Sequence, residues 1–156
     1  MKLKLCEPKY HQELRELLRE FSIECFGNSG NNVNVEQFVN GHWAVYLAMG
    51  DSGEVIGFSS YMINDYFGMR ETTVANTYVY VTREHRRSRA MCLFSIQTGK
   101  LCVDNNFALE HYYASGASLK LSSKLKGEKI YEAYIYPVDE VSRVFNRLKN
   151  KVRIKE

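Results

Sequence analysis

The stretch Tyr78–Phe94, YVYVTREHRRSRAMCLF, decides the fold because it changes from one secondary structure to another around a basic turn. Its first part is rich in β-branched and aromatic residues without a helical period, which predicts a strand. From Ala90 onward apolar residues recur at helical spacing, which predicts a helix. The residues at this spacing are Met91, Phe94, Thr98 and Leu101, with Leu93 beside them. The turn between strand and helix contains Arg86, Arg87 and Arg89.

A strand, a basic turn and a helix in this order are suited to binding phosphate. The first backbone N–H groups of a helix have no partner within the helix, and the helix dipole favours an anion there. Ser88 lies at the expected N-cap position, where its hydroxyl either caps the helix or binds a phosphate oxygen. The alternative for the same residues is a solvated basic turn without a ligand.

This stretch resembles motif A of the GNAT superfamily, the acetyl-CoA-dependent N-acyltransferases. In that motif a strand is followed by Arg/Gln-x-x-Gly-x-Gly/Ala and a helix. Here the strand contains Val79 and Val81, and the leading Arg is Arg86, whereas Arg89 and Met91 stand where small residues are usual. The resemblance implies that the diphosphate of acetyl-CoA binds at Arg86, Arg87, Ser88, Arg89, Ala90 and Met91. The Arg-Arg-Ser-Arg variant also resembles acetyltransferase-like proteins that bacteriophages encode.

Length and composition predict one globular domain over residues 1–156, with 45% hydrophobic and 25% charged residues. A formal net charge of +3 is too small to indicate nucleic-acid binding by itself. No apolar run approaches the length of a membrane span, and Met1–Lys4 lacks the apolar core of a signal peptide. These features predict a cytoplasmic protein, located in the host cytoplasm or a virion if a phage encodes it.

The cysteines and histidines do not indicate a metal site. Neither type shows metal-ligand spacing, and the cysteines form no CxxC pair. We therefore expect the cysteines to be reduced and mostly buried. These residues are Cys6, Cys25, Cys92 and Cys102, with His11, His42, His85 and His111.

The order of the predicted elements resembles that of GNAT proteins along most of the chain. The expected strands are Lys2–Cys6, Trp43–Met49, Val55–Ile63, Thr72–Thr82, Phe107–Ala114 and Ile130–Tyr136. The expected helices are 8–26, Val35–Asn40, 90–104, Ser115–Lys126 and Val138–Asn150, with Gly127 as a left-handed cap. A strand reached through a helix lies parallel to the strand before it, so Thr72–Thr82 and Phe107–Ala114 should be parallel neighbours. The predicted fold class is a single-domain α/β GNAT-like fold with a mixed, mostly antiparallel sheet flanked by helices.

The resemblance implies that these two parallel strands splay apart and that the pantetheine arm of acetyl-CoA enters between them. Its amide groups would then bind strand edges as an added strand does. The flanking residues would be Val79, Tyr80 and Val81 on one side, and Tyr112, Tyr113 and Ala114 on the other.

Acetyl transfer to an amine requires a neutral amine beside the thioester and a proton for the leaving thiolate. The strand Thr72–Thr82 contains no Asp or Glu, the residue types that serve many GNAT enzymes as the base. The Tyr that acts as the acid in the family corresponds here to Ser123. Alternative acids are Tyr112, Tyr113 and Tyr134. Glu110 or His111 could be the base, and because side chains alternate along a strand only one of them can point into the cleft.

Three function classes remain open, and we favour an acetyl-CoA-dependent N-acetyltransferase. Its partners would be an acyl-CoA and an amine-bearing small molecule or protein. The second class is a catalytically degenerate GNAT-fold structural or interaction protein, such as a phage virion component. The third is a nucleic-acid-binding domain that uses the basic turn and the tail residues Lys149, Lys151, Arg153 and Lys155. The sequence leaves open whether the chain forms a homodimer or joins a larger particle.

Overall fold

The computed structural model of the protein describes residues 1–27, 32–65, 67–68 and 72–111. Within these ranges the strands are β1 (Lys2–Leu5), β2 (Ala44–Met49), β3 (Val55–Asn64), β4 (Thr73–Val81) and β5 (Ala108–His111). The helices are α1 (His11–Phe26), α2 (Val35–Asn40) and α3 (Ala90–Asn105). Short 3₁₀ turns lie at Pro8–Tyr10 and Arg83–His85. These bounds agree with the predicted elements to within a few residues.

The strands form one mixed sheet in the order β1-β2-β3-β4-β5. Neighbouring strands from β1 to β4 are antiparallel, whereas β4 and β5 are parallel, with Thr73 opposite Ala108 and Asn76 opposite His111. The predicted mixed, mostly antiparallel sheet flanked by helices and the predicted parallel pair are therefore confirmed. Helix α3 connects β4 to β5, and the basic turn lies between the end of β4 and the start of α3.

The helices bury apolar residues against the two faces of the sheet. On one face, α1 and α2 contribute Leu14, Leu17, Leu18 and Val35, which pack against Val45, Leu47, Met49, Phe58 and Tyr80. On the other face, α3 contributes Ala90 and Phe94 against Ala48, Ile56 and Val81, and Leu101 against Tyr61 and Val74. Side chains alternate between faces along a strand, so Tyr80 and Val81 belong to opposite cores.

A buried polar network fixes α3 to the sheet. Thr98 Oγ1 donates to the carbonyl of Phe94 at 2.8 Å and lies 3.1 Å from Tyr61 Oη. Asn76 Nδ2 donates to Ser59 Oγ at 3.1 Å and to Thr98 Oγ1 at 3.3 Å. The polar side chain of Asn76 in β4 is therefore part of the support for α3.

The structure shows where α3 begins and corrects one prediction about burial. Met91 is 44% exposed, whereas Ala90 is fully buried, because α3 begins at Ala90 and its buried positions follow from there. The prediction that the cysteines are mostly buried is wrong. Cys25 and Cys92 are exposed, and Cys6 and Cys102 are half-buried beside the core.

Several predictions concern segments outside the described residues. They are the strands and helices expected between Ser115 and Asn150, the tyrosines Tyr112, Tyr113 and Tyr134, Ser123 and the basic tail. One domain over residues 1–156 likewise stays a prediction. No helix in the described part of the chain is long and apolar enough to cross a membrane.

Candidate functional site

A β-bulge interrupts β4 at Thr77. Tyr78 pairs with Ser60 and Asn76 pairs with Tyr61, so Thr77 is an extra residue that has no counterpart in β3. A bulge of this kind bends its strand and increases the local twist.

Beyond the bulge, β4 directs alternate backbone groups to its two edges. The N–H of Thr82 donates to the carbonyl of Ile56 at 2.9 Å, which makes Tyr80 and Phe58 a hydrogen-bonded pair. The backbone groups of Val79 and Val81 consequently face the other edge, on the side of β5. Of the three β4 residues predicted to flank pantetheine, these two therefore offer backbone groups to that edge.

The side chain of Tyr80 belongs to the core beneath α1. It is 6% exposed, and its Oη lies 3.3 Å from Glu20 Oε2 and 3.2 Å from Glu24 Oε2, to which it donates. Burial, together with these two carboxylates, raises the pKa of Tyr80 to about 12. Tyr80 is therefore a neutral hydrogen-bond donor at any physiological pH.

Gly57 allows β3 and β4 to approach closely just before the basic turn. A Cβ atom at this position would lie 2.5 Å from the carbonyl oxygen of Tyr80 and 3.2 Å from Val81 Cα. Any larger residue would push the end of β4 away from β3, and the basic turn with it.

Internal hydrogen bonds order the turn between β4 and α3. The N–H of His85 donates to the carbonyl of Thr82 and the N–H of Ser88 to the carbonyl of His85, both at 2.9 Å. The N-cap of α3 is Arg89, so the prediction that Ser88 is the N-cap is wrong by one residue. Ser88 Oγ nevertheless accepts a hydrogen bond from the N–H of Ala90 at 3.3 Å.

The start of α3 is positively charged. Among the described residues, the Arg89 side chain makes no capping hydrogen bond. The first turn of α3 contains no acidic residue, and the side chains of Arg87 and Arg89 are exposed. Unpaired N–H groups and cations together favour an anion at this position. Of the predicted phosphate ligands, Ala90 is buried, so that only its backbone can take part, and the side chain of Met91 faces outward.

Arg86 is held on the side of α1. Its Nη2 donates to Glu24 Oε1, its Nε donates to the carbonyl of Val81 at 3.3 Å, and its guanidinium lies 5.9 Å from the centroid of the Tyr80 ring. The hydrogen bond from Arg86 holds the pKa of Glu24 below its ordinary value. Arg86 therefore links the turn to α1, and would have to leave Glu24 to reach an anion at the start of α3.

Glu110 is the predicted base whose side chain the structure describes. It is 5% exposed and lies on β5 next to Ala75. Its Oε2 accepts hydrogen bonds from Thr73 Oγ1 at 2.7 Å and from Asn64 Nδ2 at 2.9 Å. These contacts tie Glu110 to the ends of β3 and β4. The side chain of His111, together with Tyr112 and Tyr113, lies outside what the structure describes.

Sequence reasoning missed a group of polar side chains around Tyr78. His42 Nε2, Ser60 Oγ and Thr77 Oγ1 are buried and have no hydrogen-bond partner among the described residues. Ser60 is the cross-strand neighbour of Tyr78, Thr77 precedes it, and the ring centroids of His42 and Tyr78 are 5.9 Å apart. No spacing pattern marks these residues, because the sheet and the end of α2 bring them together.

No metal cluster accompanies these groups. Within the described ranges, no set of three His, Cys, Asp or Glu side chains is arranged to hold a metal ion.

Solved structures share this fold, although no model of a protein family matches the sequence and no curated protein is similar to it. An acetyltransferase from Trypanosoma brucei has a TM-score of 0.65 and 14% identity, over 87% of this chain and 97% of that chain. A ribosomal-protein-alanine N-acetyltransferase from Brucella melitensis biovar Abortus has a TM-score of 0.65 and 13% identity, over 88% and 99%. An aminoglycoside N-acetyltransferase in complex with CoA has a TM-score of 0.60 and 16% identity, over 87% and 98%. At this identity the likeness shows the fold, which is the predicted acetyltransferase fold.

Proposed function

We propose that this chain is an acetyl-CoA-dependent N-acetyltransferase. The observation that carries the proposal is the course of β4, which has a bulge at Thr77, directs the backbone groups of Val79 and Val81 to the edge on the side of β5, and leads into the basic start of α3. This arrangement combines a strand edge for amide groups with an anion site at a helix start. The fold shared with a CoA-bound aminoglycoside acetyltransferase supports the same assignment.

In this proposal the diphosphate of acetyl-CoA binds the N–H groups at the start of α3. Arg87 and Arg89 add charge-assisted hydrogen bonds, and Ser88 offers a hydroxyl. Arg89 stands where the resembling motif has glycine, but its φ is −77°, so the backbone at this position does not require glycine. The pantetheine arm runs along the edge of β4, where Val79 and Val81 present backbone groups.

The reaction is the attack of an amine nitrogen on the thioester carbonyl, after which the C–S bond breaks and the CoA thiolate leaves. The chain must accept one proton from the amine and supply one to the thiolate. Because β4 contains no carboxylate, the proton passes either to a group on another element or to water. Tyr112 or Tyr113 remains the proposed proton donor, since a phenol is acidic enough to protonate a thiolate.

Binding of acetyl-CoA tests this proposal first. A ligand that binds the native state alone raises the free energy of unfolding by about 2.7 kcal/mol at a hundredfold excess over its dissociation constant. We expect a thermal shift with acetyl-CoA in the wild type and a much smaller shift in an Arg87→Ala/Arg89→Ala variant. The matched control is Arg15→Ala/Lys100→Ala, which removes the same charge away from the turn. No shift at millimolar acetyl-CoA, or equal shifts in both variants, would contradict the proposal.

A catalytically degenerate acetyltransferase fold is the second candidate. The observations that favour it are the absence of a carboxylate from β4 and the engagement of Glu110 by Thr73 and Asn64. It predicts that acetyl-CoA binds without turnover. Release of free CoA thiol across a panel of primary amines distinguishes the two, because only the enzyme couples thiol release to the presence of an amine.

A further inference from the structure

The buried polar atoms around Tyr78 lack the partners that such atoms normally have. Most buried hydroxyl and imidazole groups in folded proteins are hydrogen-bonded, and each exception calls for an explanation such as a catalytic role or a bound water or ion. Within the described residues, His42 Nε2, Ser60 Oγ and Thr77 Oγ1 form all of these exceptions, and each belongs to a residue that adjoins Tyr78. Ser60 has no exposed surface at all. A ligand with a polar group at this position would provide the missing partner.

The hydrogen bond of His42 determines which of its nitrogens carries a proton. His42 Nδ1 lies 2.6 Å from the carbonyl oxygen of Phe38. A carbonyl oxygen only accepts, so Nδ1 must be the donor. In the neutral ring the lone pair is then on Nε2, the buried atom without a partner. His42 is therefore held in the tautomer that accepts a proton at Nε2.

An aromatic surface borders this polar group. The Phe21 and Phe38 rings lie 5.6 Å and 6.1 Å from the Tyr78 ring, and Phe26 packs edge-on against Phe21 at 5.4 Å. Tyr78 is 38% exposed and Phe26 is 61% exposed, so the surface extends from the buried polar atoms to solvent. Ligand sites in proteins are lined mainly by apolar and aromatic side chains with a few polar groups, so this surface suits a small aromatic molecule that carries one polar group.

We infer that this group is the acceptor site of the proposed acetyl transfer, and that it takes a primary amine with an aromatic substituent. The inference rests on the proposed function. The amine nitrogen attacks the acetyl carbonyl carbon, its N–H proton passes to His42 Nε2, and the C–S bond breaks to release the thiolate. The Ser60 and Thr77 hydroxyls accept hydrogen bonds from the amine N–H groups or donate to the amine nitrogen. The aromatic substituent packs against Phe21, Phe38 and Tyr78.

The test uses the full chain with acetyl-CoA and two probe amines, 2-phenylethylamine and ethanolamine. We expect the wild type to acetylate 2-phenylethylamine more efficiently, because ethanolamine lacks a group for the aromatic surface. His42→Ala should lower turnover roughly a hundredfold or more, the usual effect of losing a general base. Its affinity for acetyl-CoA should stay unchanged.

Chemical rescue separates a proton acceptor from a structural residue. Imidazole in the buffer should restore part of the turnover of His42→Ala, and the more basic 4-methylimidazole should restore more. The control His11→Ala should lose no turnover and should not respond to either compound. His42→Gln keeps most of the side-chain volume but cannot act as the base. It repeats the turnover measurement if the alanine variant does not fold.

Each other outcome overturns a distinct claim. Undiminished turnover in both His42 variants, or a loss that imidazole does not restore in a folded His42→Ala variant, overturns the assignment of His42. A wild type that binds acetyl-CoA without favouring 2-phenylethylamine overturns the acceptor class. A wild type that does not bind acetyl-CoA overturns the proposed function, and this inference with it.

Discussion

The substitution Gly57→Ala should destabilise the protein although it adds a single methyl group. The new Cβ atom would lie 2.5 Å from Tyr80 O and 3.2 Å from both Val81 Cα and Val81 Cγ2. Because Cβ atoms essentially never approach another atom within 3.0 Å, β3 and β4 must separate by about 0.5 Å. That separation weakens the backbone hydrogen bonds of the Phe58–Tyr80 pair beside it. Overpacking of this kind costs typically about 1–3 kcal/mol.

Urea and thermal unfolding measure this effect, with Gly99→Ala as the matched control. A Cβ atom at Gly99, within α3, meets nothing within 4 Å, so the same substitution there should stabilise the protein by about 0.4–1 kcal/mol. For Gly57→Ala a loss of about 2 kcal/mol corresponds to a decrease in Tm of roughly 4–8 °C. Affinity for acetyl-CoA should also decrease, because the displaced end of β4 carries the basic turn. A Gly57→Ala variant as stable as the wild type would refute the close approach of β3 and β4.

Three further predictions address the site. Folding raises the pKa of Tyr80 from its ordinary value near 10 to about 12. Its contribution to the free energy of unfolding is therefore complete below pH 10 and is lost as the pH rises towards 12. Tyr80→Phe should reduce this alkaline loss of stability in unfolding curves. Because Arg86 lowers the pKa of Glu24, this ion pair stabilises the protein above the ordinary carboxyl pKa, and its contribution is lost as the pH falls. Glu24→Gln should therefore make stability depend less on pH in the acid range. The same substitution releases Arg86 and should raise the affinity for acetyl-CoA measured by calorimetry. In an amine-dependent thiol-release assay, Tyr112→Phe or Tyr113→Phe should lower the rate more than Ser123→Ala, since a serine hydroxyl is a far weaker acid than a phenol.

Local pattern was sufficient to predict most of the described fold. The helix Val35–Asn40, the β2–β3 hairpin and the parallel pair of β4 and β5 follow from apolar periodicity, a Gly/Asp turn and the strand–helix–strand order. The spacing alone did not show which residue at the start of α3 faces the core. Ala90 and Met91 are both apolar neighbours at the start of α3, and only the packing against β4 shows which of them is buried.

The site depended on contacts that sequence spacing does not encode. Arg86 was predicted to bind phosphate, but its partner Glu24 is 62 positions away on α1. The bulge at Thr77 exists only relative to the pairing with β3. The contact between His42 Nδ1 and the carbonyl of Phe38, which leaves Nε2 as the proton-accepting nitrogen of the neutral ring, is a local detail of how α2 ends. Tertiary packing, rather than composition, therefore defines which residues surround Tyr78.

The most direct test of acetyl transfer to an aromatic amine is to follow an isotope-labelled acetyl group from acetyl-CoA to 2-phenylethylamine. Mass spectrometry of the products identifies where the label goes. We expect a labelled acetyl group on the amine nitrogen and one free CoA thiol for each acetylated amine, with transfer lost in the His42→Ala variant. Label that stays on CoA, or appears as free acetate whether or not the amine is present, would contradict it.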